Sequence, residues 1–361
     1  MNQWRSYHIY YSKIDSLLLE CICPFLCTLQ GSLGMFFWER HYAGGPHVRV
    51  RFRGDGDSLD RIDAAFVPLV QHYLEKFPSR PLEKYSPERA AQLLEMEQEP
   101  FEPSELEYRV NTICQWPYRR LQSSFVKGAG LELMHEFLRD SNPVAEALLR
   151  EPERKRDNLL RFYFLVALFP DGAIVPGSVS FKSHWEGFAA TFKSRAVLER
   201  IRGGFEDQRD TIVATMENVT ESYKRQDFSG DPLLADWLAL LRRYGDKAGA
   251  MLRHGEQINY TMTPDEARHY HLTLQANQVE PSEFVDSLFE DPAFLQAYRS
   301  DLELAWPRVL VNFLYLLIPA VGLTMIDRMA LCYYSHKAVE THFQCNLTDI
   351  LRSNIADALN R

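Results

Sequence analysis

Between His47 and Arg53 the chain alternates strictly: Val48, Val50 and Phe52 are apolar, while His47, Arg49, Arg51 and Arg53 are basic. A period of two puts these sets on opposite faces of one strand, with the apolar set toward a core. Trp4 to Tyr11 is aromatic and free of helix breakers, and predicts a first strand. Asp15 is placed to cap a following helix whose stripe is Leu17, Leu18, Leu19, Ile22, Phe25 and Leu26. Met35 to Tyr42 reads as another strand, and the turn Ala43-Gly44-Gly45-Pro46 folds it onto the alternating one as a hairpin. Gly54-Asp55-Gly56-Asp57 ends the hairpin, and a helix from Leu59 to Lys76, kinked at Pro68, follows. Glu83 to Glu107 predicts a connecting segment with a short helix, and Val110 to Tyr118 a last strand. Strand, helix, hairpin, helix is the order of a split βαβ sheet.

From Gly128 the spacing becomes helical. Leu131 to Phe137, Val144 to Leu149 and Asn158 to Phe169 form apolar stripes, with breaks at Pro143 and Pro152. Pro232, Pro264, Pro281, Pro292 and Pro307 fall near expected helix starts. The fold class is therefore α+β: an N-terminal split βαβ-type sheet with packed helices, then a mainly helical C-terminal half. The boundary falls near residue 125, giving a sheet-bearing region 1–125 and a helical region 126–361. The uncharged run Val309 to Ile326 just reaches membrane-span length. It holds Asn312, Pro319 and Gly322 and leads into Asp327-Arg328, which predicts a buried helix broken near Pro319 and no membrane anchor.

Composition narrows the function classes. The chain has 361 residues, 46% apolar and 25% charged, so it is globular and large enough for two domains. Forty Lys and Arg against 49 Asp and Glu give a net charge of −9, a poor balance for a general nucleic-acid binder. No basic region followed by an apolar stretch opens the chain, and the six cysteines lack scaffold spacing. Reduced thiols in a cytoplasmic protein are expected. Cys21, Cys23 and Cys27 lack a fourth ligand at zinc-site spacing and read as buried small residues. There is no His-Glu-x-x-His, no carboxylate cluster, no Gly-rich phosphate loop and no Gly-x-Ser-x-Gly elbow, and Gly203-Gly204 lacks a dinucleotide-site context. No cofactor is expected.

The basic face of the alternating strand is the best candidate for chemistry. Guanidinium groups two residues apart make an anion-binding row. The alternative is a solvated face neutralised by nearby acids, which spacing alone favours. His269-Tyr270-His271, and His254 with Tyr260, also gather proton-transfer groups, although a core or surface role is the commoner reading for each.

The hairpin Phe36-Phe37-Trp38-Glu39-Arg40-His41-Tyr42-Ala43-Gly44-Gly45-Pro46-His47-Val48-Arg49-Val50-Arg51 resembles the N-terminal signature of the thiopeptide-type bacteriocin biosynthesis family. That family comprises the small elimination domain of lanthipeptide dehydratases and relatives that include thiopeptide pyridine synthases. The opening Trp4 to Tyr11, the stretch Gly128 to Pro143, Asn312-Phe313-Leu314-Tyr315, Gly322-Leu323 and Arg328-Met329-Ala330-Leu331 extend the resemblance over most of the chain. Eliminating members carry an Arg-Tyr-Gly-Gly loop where this sequence reads Ser124-Phe125-Val126-Lys127, and end with a histidine beside an Asn-Arg pair. Here Ser335-His336 and His342 are present, but Cys345-Asn346-Leu347 offers no arginine. Asn111-Thr112-Ile113 and Pro117-Tyr118-Arg119-Arg120 look more like the corresponding strand of pyridine synthases.

The resemblance implies a cofactor-independent enzyme that closes a pyridine macrocycle. A precursor peptide with two dehydroalanines would undergo a formal aza-[4+2] cycloaddition, with loss of water and of its leader peptide. It also implies that His47, Arg49 and Arg51, with Arg119 and Arg120, hold the peptide in a groove along the sheet. Tyr260, Tyr270 and His184 are candidates for proton transfer, chosen by residue type. The implied partners are the leader-bearing precursor and other biosynthetic enzymes, with no nucleic acid and no membrane. Two other readings stand beside this one: a glutamate-eliminating lyase that makes dehydroalanine or dehydrobutyrine, and a leader-binding scaffold.

Overall fold

A computed structural model of the chain describes residues 3–29, 34–81, 85–96, 101–118, 128–169, 171–192, 194–259, 265, 282–289 and 302–360. The fold is α+β. Four strands, β1 (Gln3–Tyr10), β2 (Met35–His41), β3 (His47–Gly54) and β4 (Thr112–Trp116), form one sheet in the order β2-β3-β1-β4. Every neighbouring pair is antiparallel. Between β1 and β2 lie α1 (Ile14–Leu17), a π-helical turn (Leu18–Ile22) and α2 (Cys23–Thr28). Helices α3 (Gly56–Lys76) and α4 (Pro87–Met96) separate β3 from β4. A strand inserted between the two ends of a βαβ crossover is the split arrangement expected from the element order.

Register assigns side chains to faces. Tyr7 and Ile9 of β1 lie opposite Val50 and Val48 of β3, and Phe36 and Trp38 of β2 lie opposite Phe52 and Val50. This apolar face packs under α3, whose Leu59, Ile62, Phe66 and Val70 are all buried. Asp55 caps α3 by accepting from the Ser58 amide at 2.8 Å. Asp15 does not cap the first helix as its position predicts. The chain enters α1 at Ile14 with Lys13 as the preceding residue, and Asp15 instead pairs with Arg40. An ion pair to a half-buried arginine outcompetes a cap that water can replace. At the hairpin, Gly44 and Gly45 adopt φ of +75° and +112°, and a Cβ on Gly44 would meet the Glu105 carbonyl at 2.5 Å. Glycine is needed there for both conformation and space.

The chain folds as two compact units, Met1–Pro152 with Pro319–Gly322, and Glu153–Ile318 with Leu323–Arg361. The first includes α5 (Ala129–Arg150), which runs unbroken past Pro143. Leu138, Ser141, Val144 and Ala145 are buried on both sides of the proline, so packing holds together a helix that propensity would break. The second unit is built on α6 (Lys155–Leu168), buried on every side from Phe162 to Leu168. A helix apolar all round must be wrapped by others. The unit's other described helices are α7 (Ile174–Gly177), α8 (Val179–Thr191), α9 (Arg195–Arg225), α10 (Pro232–Arg253), α11 (Glu283–Phe289), α12 (Leu302–Ala320), α13 (Met325–Phe343) and α14 (Leu347–Asn360), of which α7, α9, α10 and α13 pack on α6.

Pro232 occupies the first turn of α10 behind the cap Asp231. Pro307 lies within α12 and does not start it; Pro264, Pro281 and Pro292 fall outside the described residues. The apolar run ends as its pattern predicts. Helix α12 stops at Ala320, Gly322 turns at φ +77°, and Thr324 with Asp327 forms a capping box that opens α13. No helix among the described residues is long and apolar enough to cross a membrane. All six cysteines are free thiols.

Candidate functional site

The second face of the sheet carries the basic row. His47, Arg49, Arg51 and Arg53 of β3 face Tyr10, His8, Ser6 and Trp4 of β1 and His41, Glu39, Phe37 and Met35 of β2. The expectation that this face is solvated fails: His47 is 0%, Arg49 4% and Arg51 2% exposed. Helix α5 packs on β2, and one of its buried side chains, His135, stacks on Phe37 at a ring distance of 5.4 Å. At the other end Arg109 crosses the rings of Tyr10 and Trp116. Arg53, the most open member of the row, is tied to Glu132 of α5 at 2.7 Å. Arg51 approaches Glu39 at 3.4 Å.

Three imidazoles gather where the strands meet the hairpin turn. His8 stacks on His47 at 4.9 Å, and His41 and Tyr10 lie 5.1 and 4.6 Å from His47. His47 Nδ1 is 3.0 Å from the Gly45 carbonyl, so Nδ1 carries the ring proton and donates it there. Burial first, then neighbouring imidazoles and the Arg49 and Arg51 guanidiniums, hold His8 and His47 well below the ordinary histidine range. Both are neutral. The unfolded chain binds protons that the folded chain excludes, so stability is complete above about pH 6.5 and is lost as pH falls below it. From pH 7.5 to 5.0 each ring costs at most ~2 kcal/mol. Urea midpoints should fall across that range, and His47→Gln should flatten the slope; a slope unchanged by the substitution would disprove the assignment.

Arg51 leads to a hydrogen-bonded tyrosine and histidine pair. Its guanidinium lies 4.9 Å from the centre of the Tyr118 ring, which stacks on Trp4 at 4.3 Å. Tyr118 Oη is 2.6 Å from Nε2 of the buried His135. Burial pushes the Tyr118 hydroxyl up to about 12, with Arg51 pulling the other way. At neutral pH it keeps its proton and shares a hydrogen bond with Nε2. The pair is a hydroxyl hydrogen-bonded to a buried imidazole and flanked by a cation, a set suited to passing protons.

His184 belongs to the helical unit, on α8. Its Nδ1 lies 2.7 Å from the Ser180 carbonyl and its ring edge meets Tyr315 at 5.0 Å. Burial lowers it to about 4, so this too is a neutral imidazole. His254 is exposed at the end of α10. Arg119, Arg120, Ser124, Tyr260, His269, Tyr270 and His271 lie outside the described residues. Tyr118 and His135 were not singled out from sequence, although a signal existed. Tyr118 follows Cys114 and Trp116 in steps of two, and His135 sits beside the apolar stripe of α5.

This architecture defines a class: a split βαβ sheet with one face buried as a histidine and arginine row, joined to a helical unit. The model of the family described as "Lantibiotic biosynthesis dehydratase C-term" matches residues 4–339, and the chain belongs to that family. Among solved structures the fold is similar to the pyridine synthase TbtD from thiomuracin biosynthesis, at 18% identity and a TM-score of 0.72, covering 95% of this chain and 99% of that one. It is also similar to TsrL, at 17% identity and a TM-score of 0.69, covering 98% and 99%. No curated protein sequence matches the chain.

Proposed function

We propose that the protein matures a ribosomally made peptide by joining two dehydroalanines in a formal aza-[4+2] cycloaddition. The amide beside one dehydroalanine shifts its proton from nitrogen to oxygen and becomes a 2-azadiene. The second alkene adds across it with two new carbon–carbon bonds. Loss of water removes the former amide oxygen, and departure of the leader as a carboxamide leaves an aromatic pyridine; no oxidant is needed. The observation that carries this reading is Tyr118 hydrogen-bonded to His135 beneath Arg51, in a chain of this family. Fold similarity along the whole of TbtD supports it.

In this scheme Tyr118 gives its hydroxyl proton to the amide oxygen as the tautomer forms, His135 Nε2 takes the proton leaving the amide nitrogen, and His135 then returns that proton to the Tyr118 oxygen. Arg51 favours the developing negative charge on either oxygen. His47 and Arg49 stiffen the strand that carries Arg51. Arg119 and Arg120 continue from Tyr118 as contacts for the peptide, and His184, Tyr260 and Tyr270 serve the later proton transfers. Holding both alkenes in contact lowers much of the barrier. The test is mass spectrometry after incubating the protein with a leader-bearing precursor rich in dehydroalanine. A macrocycle lacking one water, with the leader released, is expected. Conversion of a glutamylated peptide to its dehydroalanine form would replace the cyclase with a lyase, and binding with no chemistry on either substrate would leave a scaffold.

A further inference from the structure

The helical unit holds a second polar site, away from the sheet in sequence and in composition. A cavity of about 360 Å³ opens between α8 and α13, lined by Lys182, Lys337, Glu340, Thr341, Cys345 and Asn346. Lys182 is only 8% exposed. Its ammonium donates to Glu340 Oε1 at 2.6 Å and to Asn346 Oδ1 at 3.1 Å. A buried ammonium held by two acceptors cannot swing away.

A count of donors and acceptors shows what the cavity lacks. Glu340 supplies the cavity's one carboxylate. Its Oε1 also accepts from the Leu347 amide at 3.2 Å, and its Oε2 faces Lys337 at 3.5 Å and His336 at 3.7 Å. Burial alone would raise Glu340, but His336 and Lys182 together hold it well below the usual carboxylate range. Asn346 Oδ1 is likewise taken twice, by Lys182 and by the Thr348 amide at 2.9 Å. Asn346 is exposed and the Lys337 side chain is 38% exposed, so the Asn346 NH₂ and the Lys337 ammonium are open to solvent and to an incoming acceptor. Thr341 gives its hydroxyl proton to the Lys337 carbonyl at 2.7 Å. His336, buried and lowered mainly by that burial, adds no charge. Two ammoniums against one carboxylate leave a net positive, donor-rich cavity with its acceptors used up.

We propose that this cavity is a carboxylate-binding site that takes an acidic side chain of the peptide substrate. The identity of the peptide rests on the maturation reading above; the deficit of acceptors does not. A carboxylate entering the cavity accepts from Lys337 and from the Asn346 NH₂ while Lys182 supplies charge from below. The volume suits a side chain of this size with room for water.

The test is fluorescence anisotropy on the full-length protein with a labelled Gly-Glu-Gly-Glu-Gly-Glu-Gly peptide and its Gln counterpart. The Glu peptide should bind at least about tenfold tighter, the contribution expected of one charge-assisted hydrogen bond. Asn346→Asp keeps both acceptor roles of Oδ1, replaces the NH₂ donor by a carboxylate oxygen and adds a negative charge, and should weaken the Glu peptide by at least about tenfold. Lys337→Gln, at a half-exposed position, should weaken it by roughly threefold or more without moving the thermal midpoint. Equal binding of the Gln peptide, unchanged binding by both variants, or no saturation at millimolar peptide would overturn the site. Displacement by free glutamate at the probe's own concentration would assign it to small carboxylates and overturn the peptide reading. Turnover is not involved in this assay. Binding that survives a failed cyclisation assay keeps the site, and cyclisation without binding keeps only the enzyme.

Discussion

Tyr118→Phe is expected to lower turnover by ~10²–10⁴-fold, the range for removing a positioned proton donor, while precursor affinity changes by no more than about twofold. The substitution removes one oxygen and keeps the ring, so the stack on Trp4 and the Arg51 contact survive. The structural cost is confined to His135, whose Nε2 loses its hydrogen-bond partner inside a buried site at roughly 1–3 kcal/mol. Single-turnover mass spectrometry reads the chemical step, anisotropy reads binding, and a urea titration reads stability. If the hydroxyl only holds α5 in place, stability falls and the rate per folded molecule does not. Burial holds Tyr118 near 12, so the wild-type rate should show no limb from this group between pH 6 and 9. A full rate in the phenylalanine variant would remove Tyr118 from the mechanism.

Much of the sheet was legible because a half-buried strand writes its period into the sequence. The alternation from His47 to Arg53, the Gly44-Gly45 turn and the aromatic β1 each depend on neighbours within a few residues. The burial of the basic face was not legible in that way. It depends on α5, which arrives some 80 positions later and lays His135 and Glu132 on the sheet. Spacing shows that Arg49 and Arg51 share a face and cannot show what covers it. Pro143 failed as a break for the same reason, since tertiary packing on both sides outweighs one missing hydrogen bond.

The candidate site was partly hidden because its tyrosine and histidine come from unlike elements. Tyr118 lies just past a short strand and His135 lies inside a helix, 17 residues apart, and only folding brings Oη to Nε2. In the helical unit, Lys182, Glu340 and Asn346 meet across more than 150 residues of sequence. No spacing rule reaches that far. Resemblance supplied the class of chemistry, while the geometry selects Tyr118 as the donor to test.

Gly177→Ala is expected to destabilise the helical unit by on the order of 3 kcal/mol and to weaken the Glu peptide at the same time. Gly177 ends α7 where that turn crosses α6, and a Cβ there would fall on the Ala167 carbonyl oxygen and lie 2.7 Å from the carbonyl carbon. The obstacle is backbone in the middle of the most deeply buried helix, so no side chain can rotate away. Either α6 or α7 must move. Helix α8 begins two residues later, with Ser178 fully buried and its hydroxyl donating to Ile174 at 2.7 Å. A displaced α7 therefore carries α8 with it, and α8 positions both Lys182 and His184. Gly203 provides the contrast, because it sits within α9 with open space around its Cα. Gly203→Ala should stabilise by about 0.5–1 kcal/mol and leave peptide binding alone. Urea midpoints with parallel anisotropy separate the two. Equal stability for both variants would mean that α7 and α6 do not meet as closely as the structure places them, and that Lys182 and His184 are not held by that crossing.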